Sequence, residues 1–152
     1  MILGFKHGKT ELDELLGQLA ESALQGSDFY KEIELLVPVP LHWLRRLGRG
    51  YNQSLVLAKQ LRHPGAKINT DLVRIRRTKP QPAVASAAAR VRNVAGAFAV
   101  MGGHDFEGKV VCLVDDIKTS GATLNECARV LKEAGAAKVY AVVLTVAGQS
   151  AG

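Results

Sequence analysis

Short runs of apolar residues alternate along the chain with stretches in which apolar residues recur every three or four positions. The runs predict buried strands, and they lie at 34–40, 72–77, 93–100, 110–114 and 138–146. The periodic stretches predict helices at 8–25, 52–62, 87–91 and from 124 onward. Strands that alternate with helices are typical of a doubly wound sheet. We therefore predict an α/β fold with a mostly parallel sheet of about five strands and flanking helices.

The predicted first helix has one apolar face, and Gly26 follows it as a stop signal. The residues of that face, which we expect to point inward, are Leu12, Leu15, Leu16, Leu19, Ala20 and Ala23. Thr10 is a candidate N-cap for this helix. In the second helix, the residues expected to point inward are Leu55, Ala58 and Leu61.

The segment 109–123 combines a buried strand, an acidic pair and a turn of small residues that leads into a helix. Asp115 and Asp116 follow the apolar run 110–114, at the strand end where open α/β sheets bind ligands. The turn after them contains Thr119, Ser120, Gly121, Ala122 and Thr123. A turn that feeds a helix N-terminus offers free N–H groups and the positive end of the helix dipole, which suits a phosphate.

Two carboxylates next to a phosphate-binding turn indicate a sugar phosphate, because carboxylates accept hydrogen bonds from vicinal ribose hydroxyls. An acidic pair after a buried strand also occurs in phospho-acceptor receiver domains and in nucleotide hydrolases. A receiver carries the pair near its N-terminus, and a hydrolase needs a G-x-x-x-x-G-K-[ST] motif that this sequence lacks. A purely structural turn, capped by Thr and Ser, is the remaining alternative.

Composition is ordinary for a globular domain: the 152 residues are 47% hydrophobic and 22% charged. No apolar run approaches the roughly 18 residues that a membrane span needs, and the N-terminus lacks a signal-peptide pattern. Cys112 and Cys127 are expected to be buried, reduced thiols, and no Cys/His spacing suggests zinc. These features favour a cytoplasmic protein.

The net charge of +6 is distributed unevenly along the chain. Residues 45–92 contain twelve Lys and Arg and a single acid, Asp71, so this segment carries +11 and the rest of the chain −5. A strongly basic middle suits pyrophosphate, nucleic acid or both. The alternative is a solvated basic face without a ligand.

Five segments together resemble the competence protein F (ComF) family, whose core is a type I phosphoribosyltransferase domain. In chain order these segments are 5–9, 37–42, 49–53, 90–98 and 114–123. The last is the most specific and resembles the motif for 5-phosphoribosyl-1-pyrophosphate (PRPP). The N-terminal four-cysteine zinc module of many family members is absent from this sequence. The resemblance implies a single domain over 1–152, with 1–30 as a hood segment and 74–93 as a basic flexible loop.

The resemblance also implies roles for individual residues. Asp115 and Asp116 would be the catalytic carboxylates and would bind the ribose 2'- and 3'-hydroxyls. Mg²⁺ would be held through PRPP, with no direct structural metal site beyond these two carboxylates. The 5'-phosphate would be bound by Lys118, Thr119, Ser120, Gly121, Ala122 and Thr123. Pyrophosphate would be bound by Pro40, Leu41, His42, Arg45, Arg46 and Arg49. The flexible loop would contribute Arg76, Arg77, Lys79 and Arg90.

Three functions are compatible with such a site. The first is an active phosphoribosyltransferase that transfers phosphoribosyl from PRPP to an acceptor, with a role in natural competence and DNA uptake. The second is binding of single-stranded DNA by the basic middle, with Trp43 and Tyr51 as stacking residues. The third is a PRPP-sensing module that works through competence or DNA-processing partners without turnover.

Overall fold

Helices and strands alternate along most of the chain. The computed structural model describes residues 9–40, 51–79, 84–102, 105–118 and 121–146. The helices are α1 (Lys9–Gln25), α2 (Gln53–Gln60), α3 (Ala87–Val94) and α4 (Ala122–Glu133), with a 3₁₀ turn at Tyr30–Glu32. The strands are β1 (Leu35–Pro38), β2 (Lys67–Ile68), β3 (Leu72–Arg74), β4 (Phe98–Val100), β5 (Val110–Lys118) and β6 (Lys138–Val146).

Four of these strands form a parallel sheet in the order β2–β1–β5–β6. The expected α/β class, with a mostly parallel sheet and flanking helices, is therefore confirmed. The strands predicted at 72–77 and 93–100 do not join this sheet. They pair with each other as the antiparallel β3–β4 ribbon. Strand β2 was not predicted, because two residues are too few to show a pattern.

The helix before β4 is longer than its sequence pattern indicates. Ser86 caps α3, since its side chain accepts a hydrogen bond from Ala89 N at 3.1 Å. The helix continues through Val94 and is followed by Gly96, whose φ of 68° turns the chain into β4. The prediction of a strand beginning at 93 was therefore wrong at its start, because apolar residues of the helix end run into those of the strand.

Two hydrophobic clusters cover the two faces of the parallel sheet. Along β5, Val111 and Leu113 belong to the cluster on the α4 face, and Cys112 and Val114 to the cluster on the α1–α2 face. All four are at most 1% exposed. The prediction that 110–114 is a strand covered on both faces is thus confirmed.

Helix α1 packs through a different face from the one that its leucines predict. Leu15 and Leu19 are 49% and 57% exposed, whereas Ala20 and Leu24 are nearly fully buried. Gly17 is also buried and lies where α1 approaches α2. Two helices can approach closely where their residues are small. In α1 this close packing decides which face is buried, and Leu15 and Leu19 stay exposed.

Two smaller details of the helices also differ from prediction. Thr10 lies inside α1, which already includes Lys9, so it does not cap the helix. In α2, Leu57 is buried and Leu55 only half-buried, while Ala58 and Leu61 are buried as expected.

Within the part of the chain that the structure describes, no helix is long and apolar enough to cross a bilayer.

Candidate active site

The acidic pair lies where β5 extends past its neighbour β1. The β1–β5 ladder ends at the pair Pro38↔Val114, with Val39 N donating to Val114 O at 2.9 Å. Strand β5 continues beside β6 as far as Lys118. The strand is therefore longer than the predicted 110–114, because β6 supplies a partner for its second half. As a result, Asp115 and Asp116 stand beyond the end of β1.

This position is the point at which the winding of the sheet reverses. The connection from β1 through α2 leads to β2 on one side, and the connection from β5 through α4 leads to β6 on the other. The two helices accordingly pack on opposite faces of the sheet. Open α/β sheets bind ligands beyond the carboxyl ends of their strands at such a point.

The start of α2 holds Asp115 in place. Asn52, the N-cap of α2, accepts a hydrogen bond from Ser54 N at 3.0 Å and donates through Nδ2 to Val39 O at 3.2 Å. The Ser54 hydroxyl lies 3.4 Å from Asp115 Oδ1, which also accepts from Asp116 N at 2.9 Å. Asp115 is 8% exposed, whereas Asp116 is half-buried.

Ser54 and Asn52 were not among the predicted site residues. An Asn directly before a helical pattern is a recognisable N-cap signal. Ser54 and Asp115, however, lie 61 positions apart, so their contact follows only from the β1–β5 pairing.

The predicted phosphate turn leads into α4. Gly121 is the N-cap of α4, and its φ of 78° lies in the left-handed region that favours glycine. Ala122 is buried and Thr123 is half-buried at the first turn. Lys118 ends β5, but its side chain and the whole of Thr119 and Ser120 lie outside the described residues.

Pro40 is the residue of the predicted pyrophosphate loop that the structure describes. Pro40 follows β1 and is half-buried near the end of the strand. The other residues of this prediction, which lie outside the described residues, are Leu41, His42, Arg45, Arg46 and Arg49.

Two arginines of the predicted flexible loop bind the main chain. Arg76 Nη2 donates to the carbonyls of Asn93 and Ala95 at 2.8 and 2.6 Å, and Arg90 Nε donates to the carbonyl of Val84 at 3.1 Å. The side chains of Arg77 and Lys79 are exposed. Arg76 and Arg90 are therefore engaged with the main chain.

Arg74 is a half-buried cation that interacts electrostatically with Asp115, and it was not among the predicted site residues. Its guanidinium lies 4.7 Å from the centroid of the Phe98 ring, and its Nη1 donates to Thr78 Oγ1 at 2.9 Å. Partial burial lowers the pKa of Arg74 below its ordinary value, while the charge of Asp115 acts in the opposite direction. Its Nε is buried and, among the described residues, has no hydrogen-bond partner. A buried N–H donor that no protein group satisfies can bind an anionic oxygen of a ligand.

The two cysteines are free and buried, as the sequence indicated. Burial raises the pKa of Cys112 from 9.0 to about 12 and that of Cys127 further still. Thiols of this kind are inert, because the thiolate is the nucleophile. Cysteine chemistry therefore has no part in this site.

A family model described as "Phosphoribosyl transferase domain" matches residues 49–152. The chain belongs to the phosphoribosyl transferase domain family. The match includes the part of the site from the start of α2 to the start of α4. This match and the relatives described next together confirm the resemblance to the ComF family and its type I phosphoribosyltransferase domain.

Curated relatives of this phosphoribosyl transferase domain are competence and DNA-utilization proteins. Competence protein F of Haemophilus influenzae is 31% identical over 84% of this chain and 58% of its own length. Competence protein ComFC of Bacillus subtilis is 32% identical over 68% of this chain and 40% of its own. DNA utilization protein YhgH of Escherichia coli K12 is 34% identical over 68% of this chain and 45% of its own. The chain thus spans about half the length of these relatives.

Solved structures share the fold at low sequence identity. The glutamine PRPP amidotransferase from B. subtilis, complexed with ADP and GMP, superposes with a TM-score of 0.57 at 20% identity. The comparison covers 88% of this chain and 27% of that one. A hypoxanthine phosphoribosyltransferase from Staphylococcus aureus gives a TM-score of 0.51 at 14% identity, over 88% and 62% of the two chains. These similarities show the phosphoribosyltransferase fold.

In this phosphoribosyl transferase domain, the structure brings together one part of the predicted site. Asp115 and Asp116 lie at the winding reversal, and α4 begins at Gly121 directly after the predicted phosphate turn. The structure adds Ser54 as a contact of Asp115, and Arg74 as a half-buried cation that interacts electrostatically with it. The arrangement can hold a polyol between carboxylates and an anion against a helix N-terminus.

Proposed function

We propose that this phosphoribosyl transferase domain binds PRPP with Mg²⁺ and transfers its phosphoribosyl group to a nucleophilic acceptor. The observation that carries the proposal is the position of Asp115 and Asp116. They lie at the winding reversal of the sheet, between the N-termini of α2 and α4. PRPP carries vicinal ribose hydroxyls, a 5'-phosphate and a diphosphate. Carboxylates can bind the hydroxyls, and a helix N-terminus can bind a phosphate.

Each part of the site has a role in this proposal. The carboxylates of Asp115 and Asp116 accept hydrogen bonds from the ribose hydroxyls, and Ser54 keeps Asp115 in position. The turn that ends at Gly121 holds the 5'-phosphate against the N-terminus of α4. Arg74 lies close to the acidic pair, and its buried Nε is available to an anionic oxygen.

The acidic pair fits a magnesium ion that is held largely by the ligand itself. Among the residues that the structure describes, no three His, Cys, Asp or Glu side chains surround a common point. Mg²⁺ usually binds one or two carboxylates together with substrate phosphates and water, so Asp115 and Asp116 are a suitable donor set. When bound, Mg²⁺ would neutralise negative charge on the departing diphosphate.

In the transfer step the C1–O bond of PRPP breaks and diphosphate leaves with the bonding electron pair. The lone pair of the acceptor forms the new bond to C1. The protein contributes by holding the ribose in place and by neutralising the charge of the leaving group. Asp115 and Asp116 supply the first contribution, and the basic residues around Arg74 supply the second.

The names of the relatives give the proposal its biological setting. They refer to competence and to DNA utilization. We propose that this chain serves the same process and acts on DNA, or on proteins that process it, in the cytoplasm. We further propose that residues 1–152 form one domain, with 1–30 as the hood over the site and 74–93 as its basic loop.

The experiment that tests the proposal is calorimetric titration of PRPP with Mg²⁺. We expect wild type to bind and Asp115→Asn/Asp116→Asn to lose about 100-fold or more in affinity, because two charge-assisted sets of hydrogen bonds disappear. The matched control is Asp28→Asn/Asp105→Asn, which removes the same charge at exposed positions. No binding by wild type, or equal losses in both double variants, would refute the proposed site.

The transfer step is measured separately, as release of inorganic diphosphate from PRPP in a screen of amines, bases and nucleic acids. Release that depends on an added acceptor and disappears in the Asp115→Asn/Asp116→Asn variant supports transferase activity. Binding without release from any acceptor would favour a PRPP-sensing module on the same site.

Binding of single-stranded DNA is the second candidate function, and the charge of +11 over residues 45–92 favours it. The structure divides these cations between two regions. Lys59 and Arg62 lie at the end of α2, while Arg77, Lys79 and Arg92 lie near α3 on the other face of the sheet. A single DNA-binding surface would therefore contain the cations of one of these regions and not both.

A further inference from the structure

The β3–β4 ribbon is continued beyond its last strand pair by side-chain hydrogen bonds. The ladder ends at Arg74↔Phe98, followed by a bond of 2.8 Å from Ile75 N to Ala97 O. Residues 76–79, which we call the basic stem, come next. The strand pairing does not continue into the stem, and side-chain hydrogen bonds hold Arg76, Thr78 and Lys79.

Asn93 provides the most specific of these bonds. Lys79 N donates to Asn93 Oδ1 at 3.1 Å, and Asn93 Nδ2 donates to Lys79 O at 2.7 Å. A side-chain amide carries the same donor and acceptor as a peptide group. Asn93 therefore pairs with the main chain of Lys79 as a neighbouring strand would.

The rest of the stem is held in the same way. Arg76 binds the carbonyls of Asn93 and Ala95, and the Thr78 hydroxyl, which is buried, accepts from Arg74. Side chains that would otherwise be mobile are thus used to fix the main chain. The side chain of Lys79, whose main chain Asn93 binds, is exposed.

The support for Asn93 leads back to the candidate site. Its neighbour Val94 is 1% exposed in the cluster on the α4 face, and Gly96 N donates to Glu126 Oε1 on α4 at 3.0 Å. Helix α4 follows strand β5, which carries the acidic pair, and Gly121 is its N-cap. The stem is therefore attached, through Asn93, to the same helix that forms the phosphate turn.

We propose that Asn93 is a positioning residue, which fixes the main chain at Lys79 so that the Lys79 side chain faces the diphosphate of bound PRPP. This inference rests on the proposed PRPP binding. Asn93 is uncharged and acts through the main chain of Lys79, so its contribution is pre-organisation. Binding to a stem that is already ordered avoids the entropy cost of ordering it around the ligand.

The test compares Asn93→Ala with Val91→Ala, a matched substitution on α3 at a side chain that is 57% exposed. Two quantities are measured for each variant. One is deuterium uptake of the peptide that contains Lys79, without ligand. The other is PRPP affinity by calorimetry with Mg²⁺. For Asn93→Ala we expect faster uptake at the stem and about tenfold weaker PRPP binding, because two hydrogen bonds are lost. Val91→Ala is expected to match wild type in both.

The other outcomes separate the inference from the proposed function. Unchanged uptake at the stem in Asn93→Ala would overturn the inference whatever the affinity. Faster uptake with unchanged PRPP affinity would also overturn it, because Asn93 would then have a structural role only. Failure of wild type to bind PRPP would refute the proposed function, and the role of Asn93 in PRPP binding would be refuted with it. Thermal unfolding of each variant confirms that the comparison is made on folded protein.

Discussion

Asp115 is held in place by residues that lie far from it in the sequence. Ser54 contacts its carboxylate from the start of α2, and the amide of Asp116 donates to the same oxygen. Arg74 approaches from the β3–β4 ribbon. Single residues of the site therefore depend on the sheet order, and a substitution at any of these contacts changes the environment of the acidic pair.

Burial also decides the chemistry of single residues, and the thiols test this directly. Raising the pKa of Cys112 from 9.0 to about 12 lowers its thiolate fraction at pH 8 by about a thousandfold. We expect native protein to resist a thiol-specific disulfide reagent at pH 8 and to react at both cysteines in denaturant. Rapid modification of the native protein would show that Cys112 or Cys127 is accessible and would contradict the packing described here.

Among the elements, α1 shows how packing selects one helix face over another. Its leucines at 15 and 19 are more apolar than Gly17 and Ala20, yet the small residues face the core. A side-chain Cβ at position 17 would lie 2.8 Å from the Cβ of Gln60 on α2. The absence of a side chain at Gly17 is therefore what allows α1 and α2 to approach.

Gly17→Ala measures the importance of this approach. The new methyl would clash with Gln60, and we expect a loss of roughly 1–2 kcal/mol in the free energy of unfolding, even though alanine favours the helix. Urea denaturation of the variant and of wild type gives this difference. Gly26→Ala is the control, because its nearest contact would be an ordinary 3.5 Å. Equal stability of the two variants would show that α1 does not depend on Gly17.

At the scale of the whole molecule, basic residues that are close together in the sequence lie on opposite faces of the sheet. The sequence places its basic excess in one continuous segment, 45–92. The fold sends the described part of this segment to both faces of the sheet, through α2 on one side and α3 on the other. A basic segment is therefore not a single basic surface, and the face that meets an anionic polymer must be tested.

Salt dependence of single-stranded DNA binding provides that test. If the protein binds DNA through phosphates, affinity measured by fluorescence anisotropy should fall steeply between about 50 and 200 mM salt. Replacing Arg77, Lys79 and Arg92 with alanine should reduce the salt slope by about 0.7 for each phosphate that is no longer neutralised. The parallel variant replaces Lys59 and Arg62 with alanine, and the variant with the larger change per replaced cation identifies the binding face. Absence of binding at low salt would remove DNA binding as a candidate function.

The sequence by itself determined those features that depend on neighbours along the chain. The apolar run at 110–114 predicts a strand buried on both faces, and the turn before α4 predicts a helix start suited to phosphate, because periodicity and turn chemistry are local properties. The order of the motifs also determined the family. Asp115 and Asp116 were recognised as the acidic pair for the same local reason.

Only the tertiary structure decided the features that arise from contacts distant in sequence. The pairing of β3 with β4, the packing face of α1, the contact of Ser54 with Asp115 and the bonds of Asn93 all depend on which elements meet. The burial of Arg74 follows from the same packing. A residue pattern records the preferences of each segment. Packing then decides which preference prevails, because the faces of several elements must fit together at once.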